Sequence, residues 1–126
     1  MLIDEQETRF YVADSTVPDG GFGLFTKHAM RQGDRFEVIG VLVRRDSLSD
    51  KCTHFCDHHK FRVGDDLLLI PMGIGGMANH SLQPNLRKVF EGERVFLELT
   101  KDLAADTEVF FTYTEYAQEA FGLLDK

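Results

Sequence analysis

The sequence predicts a small, mainly β domain of the sandwich or barrel kind, with little helix. Its apolar runs are short, about eight in number, and rich in Val, Ile, Phe and Leu. Clusters of Gly, Pro, Asn and Asp separate them at intervals of about 8 to 12 residues. In the middle of the chain, Pro71-Met72-Gly73-Ile74-Gly75-Gly76 places four glycines or prolines in six residues, which forbids a long helix there.

In chain order, Thr8 to Ala13 alternates bulky and polar residues, the pattern of a first strand. Val17-Pro18-Asp19-Gly20-Gly21 is turn chemistry, and Phe22 to Thr26 starts a short second strand. After a turn at Arg31-Gln32-Gly33-Asp34, Arg35 to Arg45 reads as one strand of about ten residues. Asp46 to Lys60 has the least regular pattern. Phe61 to Val63 and Leu67 to Ile70 read as two short strands joined by a tight turn at Gly64-Asp65-Asp66. One helical turn fits at Met77 to His80. Leu86 to Phe90 and Arg94 to Thr100 make a hairpin around Glu91-Gly92-Glu93. Glu108 to Tyr113 is the last strand. Thr114 to Gly122 closes as a helix, with Thr114 as N-cap and Gly122 near its end.

A chain of 126 residues reads as one domain, 1–126, able to bury roughly two-thirds of its unfolded surface. No apolar run approaches the ~18 to 20 residues of a membrane helix. The acidic start, Met1 to Glu7, lacks the apolar segment of a secretory signal. A net charge of −7 argues against a sequence-independent nucleic-acid binder. It suits a basic protein partner such as a lysine-rich tail, although acidity also simply keeps a protein in solution. The sequence leaves a monomer and a homodimer both open.

The two cysteines, Cys52 and Cys56, match no zinc or redox spacing, so a reducing, cytoplasmic setting is the expectation. Together with His54, His58 and His59 they raise the question of a metal site. Same-face strand residues lie about 6.6 Å apart, whereas tetrahedral zinc needs donors roughly 3.5 Å apart. One strand therefore supplies two ligands at most. A helix could pair Cys52 with Cys56, or His54 with His58, but only His28 and His80 remain to complete a set. No bound metal is expected, and a β-rich metal-binding protein is the lesser alternative.

The densest chemistry runs from Gly75 to Asn85, a polar stretch between the apolar runs Leu67-Leu68-Leu69-Ile70 and Val95-Phe96-Leu97. Such a knot either satisfies its own hydrogen bonds, through Asx turns and a Pro-fixed corner, or binds something that does. Asn79-His80-Ser81, followed after two residues by Pro84-Asn85, resembles the cofactor-binding motif of SET-domain protein lysine methyltransferases. Gly21-Phe22-Gly23-Leu24-Phe25 resembles that family's early glycine motif. Glu108-Val109-Phe110-Phe111-Thr112-Tyr113 resembles the late segment that ends in the catalytic tyrosine.

The resemblance implies a SET-type β-clip fold. Several small sheets would surround a C-terminal pseudoknot, with the last segment passing through the loop that carries Asn79-His80-Ser81. It implies transfer of a methyl group from S-adenosylmethionine to the ε-amine of a lysine in a protein substrate. Gly21, Phe22, Gly23, Asn79, His80 and Tyr116 would then hold the cofactor, Tyr113 would orient the amine, and Phe111 would line the substrate channel. Asp46 to Lys60 would be the insert that forms part of the substrate-facing wall. Three departures stand out: Asp19-Gly20 where a basic residue is common, Thr112 where an Asp is usual, and a substrate-side insert that is short and unusual in its histidines and cysteines. A SET-fold module that binds cofactor or peptide without catalysis is the alternative.

Overall fold

The first hairpin follows from the alternation seen in the sequence. In the computed structural model, which describes residues 4–123, Phe10–Asp14 (β1) pairs antiparallel with Phe22–Thr26 (β2), Phe10 opposite Thr26 and Asp14 opposite Phe22. Residues 1–3 of the acidic start lie outside the described residues.

Arg35 to Arg45 is not one strand. Arg35–Glu37 (β3) and Gly40–Arg44 (β4) belong to different three-stranded sheets. The chain changes sheet at Val38-Ile39. The Val38 N–H donates to the Val95 carbonyl at 2.8 Å, while the Ile39 carbonyl accepts from the Met72 N–H at 3.0 Å. Gly40 permits the corner, because a Cβ there would collide with the Ile70 carbonyl oxygen. Gly40 is the one strongly strand-disfavouring residue in the run and marks a possible break, but which sheet each half joins depends on its partners.

The insert folds as a short helix, Leu48–Cys52 (α1), capped by the Ser47 side chain accepting from the Asp50 N–H, and then a 3-10 segment, His54–His59. Lys60 anchors it. Its ammonium is almost fully buried and lies 2.7 Å from both the Asp50 and the Asp57 carboxylates. Burial works against that charge, but the two carboxylates outweigh it and hold the Lys60 pKa above the usual lysine value. Phe61–Arg62 (β5) and Leu67–Pro71 (β6) follow, and with β4 they form a sheet in the order β4-β6-β5.

A 3-10 turn occupies Ile74–Gly76, and Asn79–His80 (β7) is extended rather than helical. The reason is a partner distant in sequence. β7 pairs in parallel with Glu108–Phe111 (β10), Asn79 opposite Phe110 and His80 opposite Phe111. β10 also pairs antiparallel with β2, giving the order β1-β2-β10-β7. Leu86–Glu91 (β8) and Arg94–Leu99 (β9) form the expected hairpin, with β3 along the far edge of β9. The C-terminal helix, Glu115–Ala120 (α2), is capped by the Thr114 hydroxyl, and Gly122 takes a left-handed φ of 68° just beyond it. Among the described residues, no helix is long and apolar enough to cross a membrane.

The loop from Ala78 to Asn85 grips residues 108–113 along its length. Ser81 N–H donates to Phe111 O and Asn85 N–H to Phe110 O, both at 3.2 Å. The Asn85 side chain bridges two backbone groups on one edge of the strand, its Nδ2 donating to Glu108 O at 2.9 Å and its Oδ1 accepting from Phe110 N–H at 2.7 Å. The core lies beneath these pairings, with Leu24, Val95, Leu97 and Val109 wholly buried. Asn85→Ala leaves a buried carbonyl and a strand N–H unpaired at once. We expect a loss of about 2 to 4 kcal/mol, read as a lower urea midpoint with an unchanged m value.

Candidate functional site

The site is assembled around a carboxylate in an apolar strand. Glu108 opens β10 and is 4% exposed. Its Oε1 accepts from the Thr16 N–H at 2.7 Å and the Thr16 hydroxyl at 2.6 Å. Its Oε2 accepts from the Ser15 hydroxyl at 2.7 Å and from Asn79 Nδ2 at 3.3 Å. Burial pushes the Glu108 carboxyl up, but these donors outweigh it and hold the pKa below the usual glutamate value. Gly23 lies directly opposite, where a Cβ would collide with the carboxylate. One ionised group thus ties together the β1–β2 turn, the early glycine motif, Asn79 and the last strand.

Asn79 is oriented by its surroundings. Its Nδ2 also donates to Phe22 O at 2.9 Å and Gly20 O at 3.4 Å, so every neighbour on that side is an acceptor. Its Oδ1 makes no protein hydrogen bond among the described residues. The His80 ring is held as firmly. Nδ1 accepts from the Tyr113 N–H at 2.9 Å, which places the proton of the neutral ring on Nε2. Burial keeps the His80 pKa below its ordinary value, and Nε2 is buried without a hydrogen-bond partner among the described residues.

Two cavities meet at Tyr113 and His59, which line both. The first is bounded by Phe61, Phe111, Ala78, Lys88 and Phe90. The second is bounded by Asp19, Gly20, Asn79, His80 and Phe121. In the shared wall the Tyr113 hydroxyl donates to Ala78 O at 3.1 Å, and burial pushes its pKa up to about 12. It therefore stays a neutral phenol at ordinary pH. Its one proton is committed to Ala78, which leaves the oxygen lone pairs free as acceptors.

Of the residues expected at a site, Asn79, His80 and Tyr113 come together at the second cavity. Phe111 lines the first, its ring 5.1 Å from that of Tyr113 and 5.9 Å from that of Phe61. The last strand ends at Phe111 rather than at Tyr113. Tyr113 leaves the ladder because its N–H and hydroxyl bond His80 and Ala78, and Thr112 follows with its hydroxyl on Ser81 O at 2.8 Å. Gly21, Phe22, Gly23 and Tyr116 are not among the residues lining these two cavities. Gly21 sits at a left-handed φ of 65° in the turn, and Phe22 contributes its carbonyl to Asn79 while its ring faces outward. Tyr116 is 62% exposed and packs on the His58 ring at 4.7 Å.

Cys52 and Cys56 are free thiols, and among the described residues no group of three or more His, Cys, Asp or Glu is placed to hold a metal. His58 and His59 pack instead on the Phe121 ring, at 5.5 and 5.3 Å, and join the insert to the region of α2. Sequence reasoning passed over Glu108, His59 and Lys88 as site residues. The signal for Glu108 was present: it is the one charge in Glu108-Val109-Phe110-Phe111, a run otherwise fit for burial.

The SET-domain family profile matches residues 21–114. A structure of a humanised mutant of the Chaetomium thermophilum Polycomb Repressive Complex 2, bound to an inhibitor, superposes with a TM-score of 0.71 at 18% identity. That match covers 87% of this chain and 16% of that one. A Plasmodium falciparum protein assigned, though not established, as a histone methyltransferase superposes with a TM-score of 0.67 at 18% identity, covering 86% of this chain and 96% of that one. At such identity the likeness concerns the fold. A comparison with curated protein sequences finds no match.

The Glu108 network has a pH signature. A carboxyl whose folded pKa is lowered adds stability that is present above the unfolded value, about 4.3, and is lost as pH falls through the folded pKa. Glu108→Gln should be less stable at pH 7 and should lose that part of the acid limb. Urea midpoints measured between pH 3 and 7 on both proteins check this, and parallel curves would remove Glu108 from that role.

Proposed function

The chain belongs to the SET-domain family, and from that premise we propose that it is a protein-lysine N-methyltransferase that uses S-adenosylmethionine. The observation that carries the reading is Tyr113 in a wall shared by two cavities, one toward Asn79 and His80 and one toward Phe61 and Phe111. A transfer between two substrates needs two sites that open onto one another, with a positioned polar group at the junction. The residues of the second cavity fit the methyl donor. Asn79 Oδ1 is an unused acceptor suited to an ammonium, and His80 Nε2 is an unused buried donor. When bound, S-adenosylmethionine supplies an electrophilic methyl group on a sulfonium.

The other requirements fall to the chain's own side chains. An amine attacks only as the free base, because an ammonium has no lone pair. Tyr113 stays protonated and cannot act as a phenolate base. Among the described residues, no carboxylate lines the first cavity. The lysine proton therefore leaves to water as the amine enters. Tyr113 then orients the amine by accepting one of its N–H groups, while Phe61 and Phe111 enclose the stem and keep water out. The acceptor is a lysine side chain of a protein.

Titration calorimetry with S-adenosylmethionine, followed by a methyl-transfer assay on lysine peptides, tests the reading. Tyr113→Phe should bind the cofactor as the parent does while turnover falls by about two orders of magnitude or more. Turnover at the parent rate would make Tyr113 structural. Phe111 is expected to set how many methyl groups are added, since a hydroxyl at that ring leaves a methylated nitrogen less room to turn. Phe111→Tyr should shift products from di- or trimethyl-lysine toward monomethyl-lysine. Mass spectrometry of a peptide run to completion with each protein reads this, and identical product patterns from two active enzymes would end the tuning role.

A further inference from the structure

The charges around the first cavity run against those of the whole chain. The protein carries −7, yet the basic side chains lining this cavity are His58, His59, Lys60, Arg62 and Lys88, and among the described residues no Asp or Glu lines it. Lys60 is neutralised by Asp50 and Asp57. Arg62 and Lys88 are not. Arg62 is exposed and reaches only the backbone carbonyls of Gly64 and Asp65, at 3.3 and 3.5 Å. Lys88 forms no ion pair among the described residues, and its Nζ stands 6.0 Å from the centre of the Phe111 ring.

Nearby cations do find acids: Arg87, the neighbour of Lys88 on β8, pairs with Glu98 of β9, and Arg94 of β9 pairs with Glu37 of β3. Of the three cations lining the cavity, Arg62 and Lys88 have no acid partner among the described residues. Burial holds the Lys88 pKa below that of an ordinary lysine, the direction expected of a cation without a counter-charge.

We infer that this cavity selects a lysine flanked by acidic residues, whose carboxylates pair with Arg62 and Lys88; the inference rests on reading the cavity as the acceptor site. A peptide rich in Lys or Arg would bring like charges against these two, whereas one with Asp or Glu supplies the missing partners. The same cations disfavour a second ammonium beside them and so favour the neutral amine that transfer needs. The lysine-rich partner suggested by net charge gives way to an acidic-flanked one, because net charge averages over a surface that the substrate does not touch.

The test uses labelled peptides with one central lysine flanked by Glu, Ala or Arg, with binding read by fluorescence anisotropy in the presence of S-adenosylhomocysteine. The Glu-flanked peptide should bind the parent protein about tenfold more tightly than the Ala-flanked one at low salt, with an advantage that shrinks as salt rises. The Arg-flanked peptide should bind most weakly. The double variant Arg62→Glu/Lys88→Glu should invert that order. Arg62→Gln and Lys88→Gln, each checked for its fold by circular dichroism, should each remove part of the advantage. Equal binding, a preference for Arg flanks, no binding by any peptide, or an acidic preference that survives the double variant overturns the inference. Methyl transfer to the same peptides is read separately. Its absence beside an intact acidic preference defeats the methyltransferase reading and leaves the charge selection standing. Transfer that favours Arg flanks does the reverse.

Discussion

The buried carboxylate of Glu108 is the constraint on which the rest of the site depends. A charge in an apolar strand is tolerable only when its lone pairs are filled, and here the donors come from distant parts of the chain: Ser15 and Thr16 from the first turn, Asn79 from the central loop. Satisfying one group therefore fixes the mutual position of three segments. Gly23 belongs to the same arrangement, since its missing side chain leaves room for the carboxylate. Asn79, turned by Glu108 and by two backbone carbonyls, presents its remaining oxygen away from them. The polar geometry of the second cavity is thus a by-product of accommodating one buried charge.

The last strand passes that order on to the junction of the two cavities. β10 is held by β2 on one side and by β7 on the other, and the Asn85 side chain bridges Glu108 O and Phe110 N–H on the β7 side. Past Phe111 the ladder ends, and Tyr113 is positioned by His80 and Ala78 instead. Its hydroxyl therefore has a fixed direction and a committed proton, which distinguishes a positioned phenol from one that merely fills space. On the opposite side the insert has little apolar packing of its own, with Leu48 and Phe55 exposed. It is moored by the buried Lys60 ion pairs and by the stacking of His58 and His59 on the rings at and beyond α2. His58 and His59, two members of the cluster that raised the question of a metal, form the seam between the insert and the C-terminal helix region.

Much of the fold was legible before any coordinates. The β2 run from Phe22 to Thr26, the 86–100 hairpin and the Thr114-capped helix follow from alternation, turn residues and capping chemistry, all of which act within a few residues. The Asn79-His80-Ser81 stretch stood out because so many hydrogen-bonding side chains between apolar runs need an explanation. Where the reading failed, the decisive contact was remote. Arg35 to Arg45 is strand-like on both sides of Gly40, and its halves go to different sheets because they meet β9 and β6. Met77 to His80 could have closed a helical turn, but Asn79–His80 is extended because β10 lies beside it.

What the sequence determined by itself was the class of the molecule: a β-rich chain with little helix, with motif segments of the SET-domain family in order and a tyrosine at the end of the last of them. Local propensity and short motifs are properties of neighbours in the chain, so they survive without tertiary information. Only the tertiary structure decided which groups meet. It placed Glu108 between Thr16 and Asn79, put Tyr113 in a wall between two cavities, and left Arg62 and Lys88 as cations without acids at the rim of one of them. The physical reason is that burial, pairing and charge balance depend on distances through space, and residues 15, 79 and 108 come within a hydrogen bond of one another only once the chain has closed around them.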